Sequence, residues 1–288
     1  MRILVTGAGG FVGRSLCSVL AQRGHEVLAG VRNAEAGKSE YVEIALGDIS
    51  TGVRWPLELG SVDVVVHLAG MAHRHADEET IRRINVEGTA ALVKAASGRA
   101  GRIVFLSSIK VHGEESGERP IAETAPRRPE DAYGRTKLAA EALLPEASRA
   151  GGMQYVILRS PLVYGPGVKA NFLALMRVIE KGWPLPLARI RNRRSLIYVG
   201  NLADAIARCV EAPAAAGRTY CVSDGAPVST PDLCRAIGVA LGRPARLEVN
   251  GRQVPRSCAR RRTRPGRALA SRGPRDRVPL AGAGSDPA

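Results

Sequence analysis

Tyr133 and Lys137 stand four residues apart in Tyr133-Gly134-Arg135-Thr136-Lys137. On a helix that spacing puts both side chains on one face. A phenol with a pKa near ~10 is a poor acid or base at neutral pH. An ammonium alongside stabilises the phenolate and lowers that pKa, so Tyr133 can pass a proton to or from a substrate oxygen. Taken alone, the pair is also what an ordinary helix surface shows. Ser108 adds a second group. It closes an apolar run ending Ser107-Ser108 and would stand at the C-terminal end of a sheet strand, facing the same crevice. A carbonyl polarised by Ser108 and Tyr133 opposite a nicotinamide is a geometry for hydride transfer. The third signal opens the chain, as MRILVTGAGGFVGRSL. Gly7, Gly10 and Gly13 follow a short strand at three-residue spacing, and Phe11, Val12 and Leu16 open an apolar helix face. Such a turn aims bare backbone N–H groups at a pyrophosphate.

These groups need a frame, and the hydrophobic pattern predicts one. Strands are expected at 2–6, 26–31, 42–46, 63–68, 102–107 and 154–159, with helices between them at 11–23, 78–97 and from 131. Pro145 should kink or end the last of these. Strands alternating with helices at this spacing form a parallel, doubly wound α/β sheet. The run VDVVVHLAG is apolar on both faces, as a central parallel strand requires. Its end, Leu68-Ala69-Gly70, would lie against a cofactor. Arg32 follows the second strand, where a basic residue suits the 2′-phosphate of NADP(H) and an acid suits the free hydroxyl of NAD(H). Arg32 therefore points to NADP(H), with NAD(H) as the alternative. It can equally be a surface arginine that touches nothing. Asp48, after the third strand, would meet the adenine amino group or cap the next turn.

Beyond residue 165 the pattern changes to helices at 170–181, 201–211 and 230–241 with strands at 195–199 and 218–222, which reads as a smaller lid. The expected division is 1–165 for the dinucleotide domain, 166–249 for the lid and 250–288 for a tail. The tail is compositionally foreign. Arg, Gly and Pro fill 20 of its 39 positions, and it has no aromatic residue, Ile, Lys or Glu. Its ten Arg against two Asp give +8, leaving +7 of the total +15 for the body. That texture reads as a disordered basic arm or, preferably, as out-of-frame translation of a GC-rich gene.

No run approaches the ~18 apolar residues of a membrane helix, and the start of the chain is not that of a signal peptide. The five cysteines are scattered, with no C-x-x-C, so core thiols in a cytoplasmic protein are expected. His73 and His75 form H-x-H without a third partner at ligand spacing. A loop at the cleft rim is expected there, and no metal.

Taken together, TGAGGFVG, Asp48-Ile49, HLAG, Asn85-Val86, SSIKVHG, YGRTK and LRSPLVYGPG resemble the extended short-chain dehydrogenase/reductases. The group they are most similar to is the NAD-dependent epimerase/dehydratase family, and the likeness runs from residue 1 to about 249. It implies a Rossmann sheet with a substrate lid, and Ser108, Tyr133 and Lys137 as the catalytic trio. The implied cofactor contacts are Gly7, Gly10, Phe11, Val12, Gly13, Arg32, Asp48, Ile49, Leu68, Ala69, Gly70 and Asn85, with Tyr133 and Lys137. For the substrate it implies Ser108, Asn171 at a sugar-nucleotide diphosphate and Arg194 at the nucleotide phosphates. Arg194 is otherwise one member of a solvated basic run. The family's 4,6-dehydratases carry Asp-Glu after the serine, where this chain has Ile109-Lys110, so dehydration is not expected.

The resemblance therefore implies a UDP-sugar enzyme. The preferred reading is a 4-ketoreductase making UDP-N-acetylquinovosamine or a related 6-deoxy sugar for surface polysaccharide. The alternative is a UDP-glucose or UDP-N-acetylglucosamine 4-epimerase. A polyprenyl-diphosphate-linked sugar is a further substrate class, and a homodimer is compatible with the family. Family members also carry a later basic residue for the phosphates. Arg252 and Arg256 fall near that region, and neither is assigned. A non-enzyme reading, a dinucleotide sensor or inactive remnant whose basic tail binds nucleic acid, is opposed by the intact trio. No specific nucleic acid and no membrane insertion are expected.

Overall fold

The structure is a computed structural model, and it describes residues 1–34, 40–72, 76–117 and 119–249. His73, His75 and the tail with Arg252 and Arg256 lie outside the described residues. The described chain divides into two compact units. One comprises Met1–Pro161 and Gly200–Val222, the other Leu162–Val199 and the described residues from Ser223.

The first unit is built on seven strands: β1 (Arg2–Thr6), β2 (Glu26–Val31), β3 (Val42–Ala45), β4 (Val62–His67), β5 (Ala100–Ser108), β6 (Gln154–Ser160) and β9 (Arg218–Cys221). They pair in parallel in the order β3-β2-β1-β4-β5-β6-β9. The order reverses between β1 and β4, where Thr6 sits opposite His67. In a doubly wound sheet, this reversal opens a crevice at the carboxyl ends of the strands. Val64, Val65, Val66, Ile103, Val104 and Phe105 are all almost completely buried. Successive side chains alternate between faces, so both faces of the central strands are covered, as the β4 composition predicts.

Helix α1 (Phe11–Gln22) follows β1. The expected helix over 78–97 is interrupted. It comprises α2 (Glu78–Arg82), a π-type turn over Arg83–Glu87, and α3 (Gly88–Ala96). The wider turn is where Asn85 is presented inward. α4 (Ala132–Gly151) carries Tyr133 and Lys137. It continues through Pro145, so the expected end does not fall there. Leu144 and Ala140 of the same helix are buried in the core with Phe105 and Ile157. Tertiary burial thus outweighs the ~3 kcal/mol that an interior proline costs. Most of α6 (Val199–Glu211) and all of β9 return to the first unit. The Arg102 guanidinium donates to the carbonyls of Cys209 (3.0 Å), Val210 (3.2 Å) and Ala212 (2.9 Å). A cation is thus set at the negative end of α6.

The second unit holds a two-stranded parallel sheet of β7 (Leu162–Tyr164) and β8 (Leu196–Tyr198), with α5 (Ala170–Glu180) and α7 (Thr230–Ala240). Phe172, Ile179, Cys234 and Ile237 form its own small core. The fold is the expected parallel Rossmann-type sheet with a smaller secondary sheet.

Candidate active site

The glycine loop is shaped by close approach. Gly7 has φ +70°, and a Cβ on it would stand 2.9 Å from the backbone nitrogen of Ala69. A Cβ on Gly13 would fall 2.2 Å from the Gly7 carbonyl oxygen. A side chain at either position would push β1, α1 and the end of β4 apart. No side chain caps the start of α1 at Gly10, and no acidic residue stands in its first turn. Gly9 and Gly10 are exposed, and Phe11 and Val12 are half-buried. This is a cradle of backbone donors at a positive helix end, and it fits a dinucleotide pyrophosphate.

Beneath the loop runs a directional hydrogen-bond chain that no sequence motif announces. The Ala69 N–H donates to Thr6 Oγ1 (3.3 Å), and Thr6 Oγ1 lies 2.7 Å from His67 Nδ1. His67 Nε2 lies 3.0 Å from Thr89 Oγ1, which donates to the Asn85 carbonyl at 2.6 Å. Because Thr89 spends its one proton on Asn85, it must accept from His67, so Nε2 carries the ring hydrogen and Nδ1 accepts. His67 is fully buried, and burial, helped by the Lys137 charge, pushes it down to about 3. Asn85 Oδ1 accepts from Met71 N (2.7 Å), and its Nδ2 donates to the Met71 carbonyl (2.9 Å) and Thr136 Oγ1 (3.0 Å). Asn85 thus holds the segment after β4, with Leu68, Ala69 and Gly70, against α4.

The expected trio converges at the C-terminal end of β5. Ser108 is buried, and its hydroxyl lies close enough to the Tyr133 phenol to favour its ionisation. Lys137 is buried, donates to the Leu106 carbonyl at 2.8 Å, and sits 4.5 Å from the centre of the Phe105 ring. Burial pushes Lys137 down to about 8, with Glu141 opposing. The same desolvation pushes Tyr133 up to about 12. The Asp131 charge adds to it, and the Ser108 hydroxyl works against it. The expected depression of the phenol by Lys137 is therefore not what this arrangement produces, because burial and the Asp131 charge raise it. The phenol is therefore protonated at neutral pH. Ser107 Oγ, one residue before Ser108 on β5, is buried without a hydrogen-bond partner among the described residues.

The remaining predicted residues fall as follows. Asp48 turns its carboxylate onto Ser50, accepting from its N–H (2.9 Å) and hydroxyl (2.7 Å), and these bonds hold it below the usual carboxylate range. Ile49 packs beside Gly88 at the start of α3. Arg32 is exposed at the end of β2, close enough for its charge to act on Asp48. Asn171 and Arg194 belong to the second unit, and both are exposed. The backbone of Arg194 pairs with Val228. Among the described residues there is no group of side chains arranged to hold a metal, and no helix long and apolar enough to cross a membrane.

Relatives share this frame. A UDP-glucose 4-epimerase of Vibrio cholerae is 39% identical over 250 residues, covering 84% of this chain and 76% of its own. The solved structure of MoeE5 with UDP-glucose and NAD superposes with a TM-score of 0.73 at 26% identity, over 86% of this chain and 84% of that one. A Bacillus cereus UDP-glucuronic acid 4-epimerase with NAD superposes at 0.74, with 24% identity over 86% and 85%, which speaks for the fold.

The preference for NADP(H) drawn from Arg32 is overturned. MoeE5, the Bacillus cereus enzyme and a Thermus thermophilus UDP-glucose 4-epimerase of the same fold are all solved with NAD. The physical reason lies in the site, since one exposed arginine is not a 2′-phosphate pocket and the Asp48 carboxylate stands in its field. The model of the NAD dependent epimerase/dehydratase family matches residues 3–223. With that match laid over the glycine cradle and the doubly wound sheet, the chain belongs to the NAD dependent epimerase/dehydratase family.

Proposed function

We propose that this protein is an NAD-dependent UDP-sugar 4-epimerase, acting on a UDP-hexose or UDP-N-acetylhexosamine. The observation that carries the reading is the meeting of Ser108 and Tyr133 at the carboxyl end of β5, beside the glycine cradle. The 39% identity to the Vibrio cholerae UDP-glucose 4-epimerase supports it and favours epimerisation over one-way ketoreduction. Gly7, Gly10 and Gly13 with the start of α1 would hold the NAD pyrophosphate. When bound, NAD supplies the acceptor and donor of the hydride.

The chain's own residues move the proton. Ser108 and Tyr133 bracket the substrate C4 oxygen. Tyr133 takes the hydroxyl proton as C4 is oxidised and returns it when C4 is reduced on the other face. A phenol at about 12 resists the first of these transfers. A nicotinamide cation is the positive charge that would ease it. Asn171 and Arg194 are the proposed phosphate contacts, the guanidinium suiting a diphosphate oxygen pair.

The test is to incubate the purified chain with UDP-glucose, and separately with UDP-N-acetylglucosamine, with NAD and no reductant, and to resolve the products chromatographically. The 4-epimer is expected in at least one case. NADH consumption with a UDP-4-keto-6-deoxy-N-acetylhexosamine and no epimer from either substrate would replace this reading by a 4-ketoreductase.

A further inference from the structure

Lys110 follows Ser108 by two residues, in the single-turn 3-10 segment Ile109–His112 that continues from β5. Its ammonium is held at 2.6 Å by Glu114 and at 2.6 Å by Asp131. Asp131 is the N-cap of α4, and its other oxygen accepts from the Gly134 N–H at 2.7 Å. One carboxylate therefore ties the first turn of the helix bearing Tyr133 to the segment that follows Ser108. The backbones also touch. A Cβ on Gly134 would stand 2.7 Å from the Lys110 carbonyl oxygen, so only glycine lets α4 seat this closely. On the near side, the Lys110 N–H donates to Ser108 Oγ at 3.3 Å. On the far side, Glu130 Oε1 accepts from the Glu114 N–H at 3.1 Å and steadies the partner of the second ion pair.

We propose that Lys110 and Asp131 form a positioning clasp for the reaction. It seats the start of α4 on the end of β5 so that Tyr133 meets Ser108, and it sets how much carboxylate charge the phenol feels. Two carboxylates compensate one ammonium, so Lys110 screens Asp131 only partly. Burial works to lower Lys110, but its bonds to Asp131 and Glu114 outweigh this and hold it charged. Among the described residues, the Asp131 charge opposes ionisation of the phenol and the Ser108 hydroxyl favours it, while Lys137, one turn further along the same helix, is held on the Leu106 carbonyl. The clasp also explains why Lys110 fits where a proton-moving acid pair would serve a dehydratase. It spends this position on geometry.

The proposal rests on Tyr133 being the acid–base group, and its test has one readout that needs no substrate. The variants are Lys110→Met, Lys110→Arg and Asp131→Asn. Asparagine caps a helix as well as aspartate, so Asp131→Asn removes the charge and keeps the cap. The first readout is tyrosinate absorbance against pH, taken as a difference from the same background with Tyr133→Phe. Asp131→Asn should lower the Tyr133 ionisation by about one pH unit, a tenfold change in proton affinity. Lys110→Met should raise it, and Lys110→Arg should restore it. The second readout is the pH profile of kcat for epimerisation. It should move in the same directions, with about tenfold loss of kcat in Lys110→Met and little change in KM. Titrations and profiles that coincide with the parent in all three variants would overturn the clasp. A shifted titration in a protein that epimerises nothing would uphold the clasp and sink the proposed reaction.

Discussion

At the scale of residues, the proposed chemistry rests on a few side chains whose ionisation the fold has moved. Replacement of Tyr133 by Phe removes one oxygen and leaves the cradle around Gly7 and Gly13 untouched. Turnover is expected to fall by about 10²–10⁴-fold, while NAD affinity, measured by calorimetry, stays within a factor of about two. His67 makes a different prediction. Burial pushes its ring down to about 3 in the folded protein, whereas an unfolded chain takes up the proton near 6.5. Below that value the unfolded state binds more protons, so folding stability falls as pH falls, by roughly 1.4 kcal/mol per pH unit. The loss should begin near pH 6.5 and continue toward pH 3. In His67→Gln, urea unfolding between pH 6.5 and 4 should show a slope shallower by about that amount. An identical slope in both proteins would remove His67 from the acid response. Tyr133, Lys137, Ser108 and the glycines are legible in the sequence because each reports through spacing along one strand or helix. The partners of His67 are not, because Thr6 and Thr89 come from segments 61 and 22 residues away.

At the scale of elements, local pattern is a good guide to which segments are helix or strand and a poor guide to their breaks. Helical spacing predicts one helix over 78–97, yet a π-type turn divides it at Arg83–Glu87. That turn rotates Asn85 inward to bind Met71 and Thr136, a demand that arises only from the neighbouring chain. Pro145 shows the reverse. Its chemistry predicts a kink or an end, but α4 continues to Gly151 because Leu144 and Ala140 are anchored in the core. The helix there lacks the N–H that would pair with the carbonyl of residue 141. Pro145→Ala restores that donor and is expected to stabilise the protein by about 1–3 kcal/mol. Thermal unfolding would report this as a higher Tm. A lower Tm would mean that the ring packs better than the restored bond holds.

At the scale of the whole molecule, a buried ion pair joins parts of the first unit that lie far apart in sequence. Arg159 on β6 is paired at 2.7 Å with Glu141 on α4, and both side chains are almost completely buried. The same guanidinium donates to His112 Nε2 (3.0 Å) and the Glu123 carbonyl (2.9 Å). His112 is lowered by burial and therefore neutral at pH 7, and it passes the bond on from Nδ1 to the Pro126 carbonyl at 3.2 Å. The Pro/Glu-rich segment before α4 is thereby fastened to the carboxyl end of β6, which pairs with the end of β5 that carries Ser108. Arg159→Met leaves a buried carboxylate unpaired and should cost about 3–5 kcal/mol in urea unfolding, whereas the double change with Glu141→Leu should recover most of it. A double variant no more stable than the single one would mean that the arginine's other bonds carry the effect. What the sequence determined by itself is whatever one segment encodes: the alternation of strands and helices, the glycine cradle, the Tyr–Lys spacing and the family. What the tertiary structure decided depends on which segments meet. It returned β9 and most of α6 to the first unit, buried Lys137 and so pushed it down, raised the phenol, and closed the Lys110–Asp131 clasp. Periodicity encodes which face of an element is apolar, but desolvation and pairing depend on groups brought together across the sheet, and no local pattern records them.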